Sequence, residues 1–288
     1  MTVPAQPKSA PAPRLYAIAA SAAPVVAVFR RGPASWWQLA RWHTATGKLE
    51  RGAWFRGALY PRRCDVSPDG ALLYYVASKA SRRPFLGRPG GHHTYSAISK
   101  LPWLTVLAAW PEHGIWTRGL HFVARGRGCS PEPPAQGAIE PLRARHGLAA
   151  TPVIQYAVER RRGWTEHASC PPRAAHDSWD EKRSVILEKP QPDGRGKLIL
   201  TDHGWRANAP GIEGRQPSFR LELGARTLEL PDAAWADWSA DGRLLVATHG
   251  GRLQLSRARS LELRVLQDHD LAGDRPTPEP APGWAQVW

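Results

Sequence analysis

Histidine beside carboxylate is the pairing in this sequence that points most directly to chemistry. It occurs at His176-Asp177, at Asp202-His203 and in Asp268-His269-Asp270. An imidazole titrating near neutrality next to a carboxylate can move protons or hold a metal, so His176, His203 and His269 are the candidates for a hydrolase or lyase site. Adjacent residues on a strand point to opposite faces, however, which weakens each pair as a unit, and polar turns supply the same residue types.

No stronger catalytic signature competes with them. G-x-S-x-G, a G-K-[ST] P-loop and a helix-opening G-x-G-x-x-G are all missing, and the alternating glycines of Arg125-Gly126-Arg127-Gly128 lie in a low-complexity stretch. Three cysteines, Cys64, Cys129 and Cys170, are too few and odd in number for a disulfide framework, and they form no C-x-x-C pair. The expectation is idle thiols in a reducing compartment, with no catalytic residue, metal or cofactor assigned. A cytoplasmic location follows, with secretion left open.

At 288 residues with 42% hydrophobic residues the chain can build a core without staples. Its net charge of +14 comes from 39 basic against 25 acidic residues. Such an excess suits nucleic acid or another polyanion. Only seven of the basic residues are Lys, and the chain is also rich in Ala, Pro and Gly, so GC-rich codon usage explains the arginine equally well. The apolar stretch from Leu15 to Phe29 is too short to span a bilayer and is broken by Pro24. It reads as two short strands meeting at Ser21 to Pro24, with a signal peptide as the alternative.

The elements that must position any site are strands. Residues 1–14 are Pro- and Ala-rich and are expected to be a disordered tail. From 15 to 288 the chain alternates runs of about five to eight residues with Gly, Pro, Asp and Asn, which is strand grammar. Val25–Phe29, Trp37–Trp42, Ala71–Val76, Leu104–Trp110, Val153–Val158, Lys197–Thr201, Phe219–Leu223 and Leu244–Thr248 are the expected strands. Glu140–Ala149 is the best short helix candidate.

One internal echo organises these runs. The ten residues from Cys64 to Leu73 match those from Ala236 to Leu245 at six positions, and both copies carry Asp-Gly between apolar runs. Asp-Gly in that setting signals a hairpin, expected here as a type I′ turn. The copies lie 172 residues apart, or four steps of 43, about one repeat unit. Weaker echoes fall at Trp110-Pro111-Glu112-His113-Gly114 and Pro192-Asp193-Gly194.

On Val66-Ser67-Pro68-Asp69-Gly70 and Trp238-Ser239-Ala240-Asp241-Gly242 the chain resembles the WD40-like β-propeller repeats of the TolB type. Tyr60 to Gly70 also looks like a segment of bacterial propeller-like proteins with no assigned activity. The resemblance implies an all-β propeller of about five to seven four-stranded blades, with the tryptophans filling the wedges between blades and Trp284–Trp288 closing the array against an N-terminal strand. Loop insertions are expected near 81–93, 125–149 and 160–182, either as binding loops or as solvated spacers.

The same resemblance places the residues before the S-P-D-G turn near the mouth of a central channel, which makes Tyr60, Arg62, Arg63 and Trp235 the candidate binding residues. Two Arg forks beside aromatic rings can hold a carboxylate, phosphate or acidic peptide, or can neutralise a buried carboxylate such as Asp65. The functional expectation is a non-enzymatic interaction module that presents loops and this mouth to a protein or peptide partner. A nucleic-acid binder is the alternative, and a hydrolase or lyase with a channel-mouth site the third reading.

Overall fold

Short alternating runs punctuated by Gly, Pro and Asp fold as antiparallel strands, and the chain is all-β and sheet-rich. The structure, a computed structural model, describes residues 12–32, 34–79, 93–112, 114, 117, 119–128, 137–171, 183–206 and 211–288. Residues 1–11 of the expected tail, Cys129, Trp116, His176, nearly all of the expected insertion at 81–93 and residues 172–182 of that at 160–182 lie outside the described residues.

The first sheet is a meander of β1 (Arg14–Ala19), β2 (Val25–Arg31), β3 (Trp36–His43) and β4 (Lys48–Arg56). Its opening hairpin contains the apolar stretch from Leu15 to Phe29, with the turn at Ser21 to Pro24. In the second sheet β5 (Ala58–Leu59) and β6 (Asp65–Val66) both pair with β7 (Leu72–Ser78), and β8 (Thr94–Lys100) and β9 (Ala108–Pro111) follow. A 3₁₀ turn at Pro61–Arg63 joins β5 to β6. Sheet three is the pair β10 (Leu120–Ala124) and β11 (His146–Ala150), with the single-turn helix α1 (Glu140–Arg143) between them.

Helix α2 (Ala157–Arg161) leads into sheet four, formed by β12 (Thr165–Glu166), β13 (Val185–Pro190), β14 (Lys197–Asp202), β15 (Ser218–Leu223) and β16 (Arg226–Glu229). Sheet five is β17 (Ala233–Trp238), β18 (Leu244–Thr248), β19 (Arg252–Arg257) and β20 (Arg264–Asp270).

These sheets do not form the expected propeller. They are five separate sheets of four, five, two, five and four strands, rather than a series of four-stranded blades, and they are not closed on one another. The end of the chain does not supply a closing strand either: Gly283–Ala285 is a 3₁₀ turn. Asp-Gly specifies a local hairpin and carries no information about how hairpins assemble, so a repeated turn was not enough to define a closed array.

Two further expectations change. Val153–Val158 does not form a strand; Tyr156 takes a left-handed conformation and the chain continues as α2. Glu140–Ala149 divides into α1 and β11. A Cβ on Gly147 would sit 1.9 Å from the carbonyl oxygen of Arg127, so only glycine fits where the turn after β10 folds back against β11. The stretch 125–149 is therefore partly a sheet strand.

The core has three clusters. Sheets one, two and five meet around Phe29, Leu39, Trp42, Tyr75, Leu245 and Leu255. Sheets four and five share Leu187, Leu200, Phe219, Trp238 and Leu244, while sheets two and three share Tyr74, Ile98, Trp110, Phe122 and Leu148. Tryptophans serve both kinds of boundary, since Trp235 enters the first cluster and Trp238, on the other face of β17, the second.

A segment after β20 straps sheet five to sheet one. Leu271 is fully buried, and the Arg30 guanidinium of β2 donates to the carbonyls of Leu271 at 2.7 Å and Asp274 at 2.9 Å. Further on, Lys100 Nζ holds the Trp284 carbonyl at 2.9 Å, and Trp288 packs on the cluster between sheets two and three.

The Asp-Gly turns are alike at three places. Gly70, Gly194 and Gly242 each donate a backbone bond to the residue three before them, Ser67, Gln191 and Ser239, at 2.8–2.9 Å. Each glycine has φ between 72° and 74°, whereas the preceding Asp does not, so the expected type I′ geometry is replaced by a turn with one left-handed residue. Ser67 and Ser239 donate their hydroxyls to Asp69 and Asp241 at 2.5 Å. At Gly70 the left-handed backbone coincides with close packing, because an added Cβ would fall 2.7 Å from Val25; at Gly242 the nearest atom would be 3.7 Å away. Gly70→Ala is therefore expected to lower stability well beyond the ~1 kcal/mol left-handed penalty that Gly242→Ala should incur. Urea denaturation of the two variants checks this, and equal losses would contradict it.

Candidate functional site

The second residue of the repeated stretch does more than begin a hairpin. Asp65 and Asp237 stand four residues before the turn Asp in their copies, and both are buried. Asp65 accepts the Arg162 guanidinium at 2.6 Å through one oxygen and the backbone N–H of Phe122 at 2.8 Å through the other. Asp237 accepts Lys189 Nζ at 2.5 Å and the N–H of Trp238 at 2.7 Å. Lys189 itself stands four residues before Asp193, at the matching place in the third turn. The position thus carries a charge that is neutralised from a neighbouring element. Burial pushes the Asp237 carboxyl above its ordinary range despite Lys189.

Around these pairs the structure gathers a second group. Tyr16 of β1 donates its hydroxyl to Glu159 Oε1 at 2.9 Å, and Arg62 Nη1 reaches the same oxygen at 3.3 Å. The Arg62 guanidinium lies 5.1 Å from the ring centre of Tyr16 and 4.8 Å from that of Tyr156. Arg215 approaches Tyr156 at 5.6 Å and is ion-paired with Asp202. The Arg62 backbone N–H donates to Glu213 Oε1 at 3.1 Å.

Burial weakens the hold of Arg62 on its proton, but its neighbours, with Glu159 as the nearby carboxylate, more than offset this and the guanidinium stays charged. Burial, reinforced by Glu159, raises Tyr16 well above the ordinary phenol range, so its hydroxyl stays a donor. Burial also raises Glu213 against the opposing charges of Arg63 and Arg62.

Two members of the group hold strained backbone. Tyr156 has φ 59° and ψ 36°, and Glu213 has φ 54° and ψ 38°, a region that costs a bulky residue about 1–3 kcal/mol. Strain of this kind persists where the surroundings over-determine a conformation, and here both residues face the same two arginines.

A cleft of about 360 Å³ opens beside the group. Arg14, Tyr16, Arg62 and Arg215 give its polar lining, and Leu15, Ile212, Pro217 and Ala234 its apolar walls. Among the described residues no carboxylate lines it. The side chains of Arg62 and Arg215 are only 14% and 6% exposed, yet Arg62 Nε and Arg215 Nη2 are buried without a hydrogen-bond partner. Buried guanidinium N–H groups left open are costly unless something else accepts from them.

The residues singled out from the sequence have different fates. Arg62 lines the cleft. Arg63 stacks on Tyr60 at 5.1 Å beside it, and neither is among the lining residues. Trp235 is buried in the core, while its strand neighbour Ala234 reaches the cleft. Asp65 is neutralised by Arg162, with Arg161 at 3.7 Å, rather than by Arg62 and Arg63. The basic run at 160–162, expected to begin a loop insertion, ends α2 and sends two of its arginines toward this carboxylate.

The two histidine pairs within the described residues do not assemble. Asp202 pairs with Arg215 and His203 is exposed; Asp268 and Asp270 both turn to Arg252, while His269 packs edge-on against Trp42 at 5.8 Å. Among the described residues there is no cluster of His, Cys, Asp and Glu that could hold a metal. Cys64 is buried, with burial raising its thiol out of the reactive range, and it donates to the Tyr60 carbonyl.

Comparison with known proteins adds no identity. No family model and no curated protein matches the chain. Among solved structures it is similar to Kuenenia stuttgartiensis hydrazine synthase at 12% identity, over 89% of this chain and 80% of that one, with a TM-score of 0.32. A likeness that low carries neither fold nor function. The WD40-like, TolB-type resemblance is thus corrected: it extends to the turn motif and not to a family or a closed architecture.

The pH dependence of stability gives a check on the group. An acid with a raised folded-state pKa binds its proton more tightly when folded, so its ionisation costs stability as pH rises from the ordinary carboxylate range through the raised value. Glu213→Gln keeps an oxygen for the Arg62 N–H and removes that titration. It is expected to gain stability over the unmodified chain at pH 8 and to lose the advantage by pH 4, measured as urea midpoints. A difference independent of pH would show that Glu213 titrates normally.

Proposed function

We propose that this chain is a non-enzymatic interaction module for a protein or peptide partner, and that the cleft beside Arg62 and Arg215 receives an acidic group of that partner. The observation that carries this is the pair of buried guanidinium groups lining one cleft, each with an N–H that has no acceptor. Charged N–H groups in a site of low dielectric bind anionic oxygen strongly and directionally. The basis is this cleft; the channel mouth expected from a propeller plays no part.

A holding role fits the chemistry of the group better than a reacting one. Glu159 and Asp202 are engaged by Arg62 and Arg215, and Glu213 by a backbone N–H, so the acids nearest the cleft stabilise its cations. Several arginines also pair locally with acids: Arg41 meets Glu50, Arg51 meets Asp274, Arg160 meets Glu166 and Arg252 meets Asp268. No helix among the described residues is long and apolar enough to cross a membrane.

A peptide array in which Glu is exchanged for Gln position by position tests the proposal. Acidic members should be retained and their Gln counterparts should weaken by about tenfold or more. Ala234→Phe, which fills the cleft without touching the ion pairs, should abolish the preference. Equal retention of acidic and neutral peptides would refute the assignment.

A further inference from the structure

We infer that the ligand of this cleft is a monocarboxylate carried on an apolar body, a chemistry shared by a free apolar carboxylic acid and the last residue of a peptide chain. The inference rests on the proposed function and narrows it. Charge balance is the first argument. Arg215 is compensated by Asp202, and Arg62 by Glu159 at 3.3 Å with Glu213 accepting its backbone N–H. Arg14, which donates to the Gly211 carbonyl, leaves a single positive charge for a guest. One negative charge can be accommodated, whereas a phosphate dianion would bring a second charge close to Glu159 and Glu213.

Donor number is the second argument. Arg62 Nε and Arg215 Nη2 are two buried N–H groups with no protein acceptor, and a carboxylate offers two oxygens. The third is the distribution of polarity. Leu15, Ile212, Pro217 and Ala234 give the walls apolar character suited to an aliphatic or aromatic side chain. The fourth is access. The side chains of Arg62 and Arg215 are the less accessible cations of the lining, while Arg14 and His249 are exposed. The anionic group must therefore enter first. A cleft of about 360 Å³ has room for one residue and its end group but not for a chain passing through in both directions.

Calorimetric titration of the full chain with N-acetyl-leucine, N-acetyl-leucinamide and inorganic phosphate tests the assignment. N-acetyl-leucine should bind, and the amide and phosphate should bind at least about tenfold more weakly. Ala234→Phe should remove the binding. So should the double variant Arg215→Gln with Asp202→Asn, which takes away both charges and leaves no carboxylate stranded in the interior. Gly-Gly-Leu with a free end separates the two sources: tighter binding than N-acetyl-leucine identifies a chain terminus, and equal or weaker binding identifies a free acid.

Equal affinity for acid and amide, or preference for phosphate, would overturn the inference. If an amidated peptide with internal glutamates binds and is blocked by Ala234→Phe while N-acetyl-leucine fails, the inference falls and the proposed function stands. If neither binds, both fall.

Discussion

Asp65 meets Arg162 at 2.6 Å in the interior, and four parts of the molecule are tied at that contact. The carboxylate belongs to β6, the guanidinium follows α2, the second carboxylate oxygen takes the N–H of Phe122 on β10, and Arg162 Nε reaches the Ala19 carbonyl at the end of β1 at 2.8 Å. Sheets one, two and three and α2 therefore share one charge pair. Buried pairs gain little over apolar packing when intact and cost heavily when one partner is lost, so this contact constrains arrangement more than it adds stability. The cleft depends on it, since Tyr16, Arg62 and Glu159 are carried by the elements that it holds in place.

The same economy recurs at Asp237 and Lys189. A short motif supplies a turn through its Asp-Gly and an interior charge four residues earlier, and the counter-charge comes from a neighbouring sheet or helix. Lys189 occupies that position in its own hairpin, which makes it a charge-reversed counterpart of the acid it neutralises. A chain with 39 basic residues can thus fold with many of them turned inward or toward local acids. The acids balance only part of them, and the folded chain keeps its net charge of +14.

What could be read in the sequence was local. The strands at Val25–Phe29, Trp37–Trp42 and Leu244–Thr248, the hairpins at both Asp-Gly copies and the weaker one at Asp193-Gly194 are set by side-chain alternation and turn chemistry, which act over a few residues. Sheet assembly is set by contacts between residues more than a hundred positions apart, such as Tyr16 with Glu159, and no repeat encodes them visibly. Of the cleft, Arg62 was visible because it lies beside the motif. Arg215, Glu213 and Tyr156 were not: they sit in irregular stretches, and two of them adopt left-handed backbone that nothing in their residue type announces. Trp235 was chosen for its place ahead of the second Asp-Gly turn, and strand alternation sent it to the core and gave Ala234 to the cleft.

The grip of Arg30 on Leu271 and Asp274 joins residues about 240 positions apart. During synthesis the sheet that contains Arg30 is made well before the carbonyls that its guanidinium holds in the fold, so that sheet is completed only after residues 271–274 follow. A nascent chain must keep that sheet open or sheltered in the meantime, because long-range closure is slow and an unfinished sheet exposes edges and apolar faces to its neighbours.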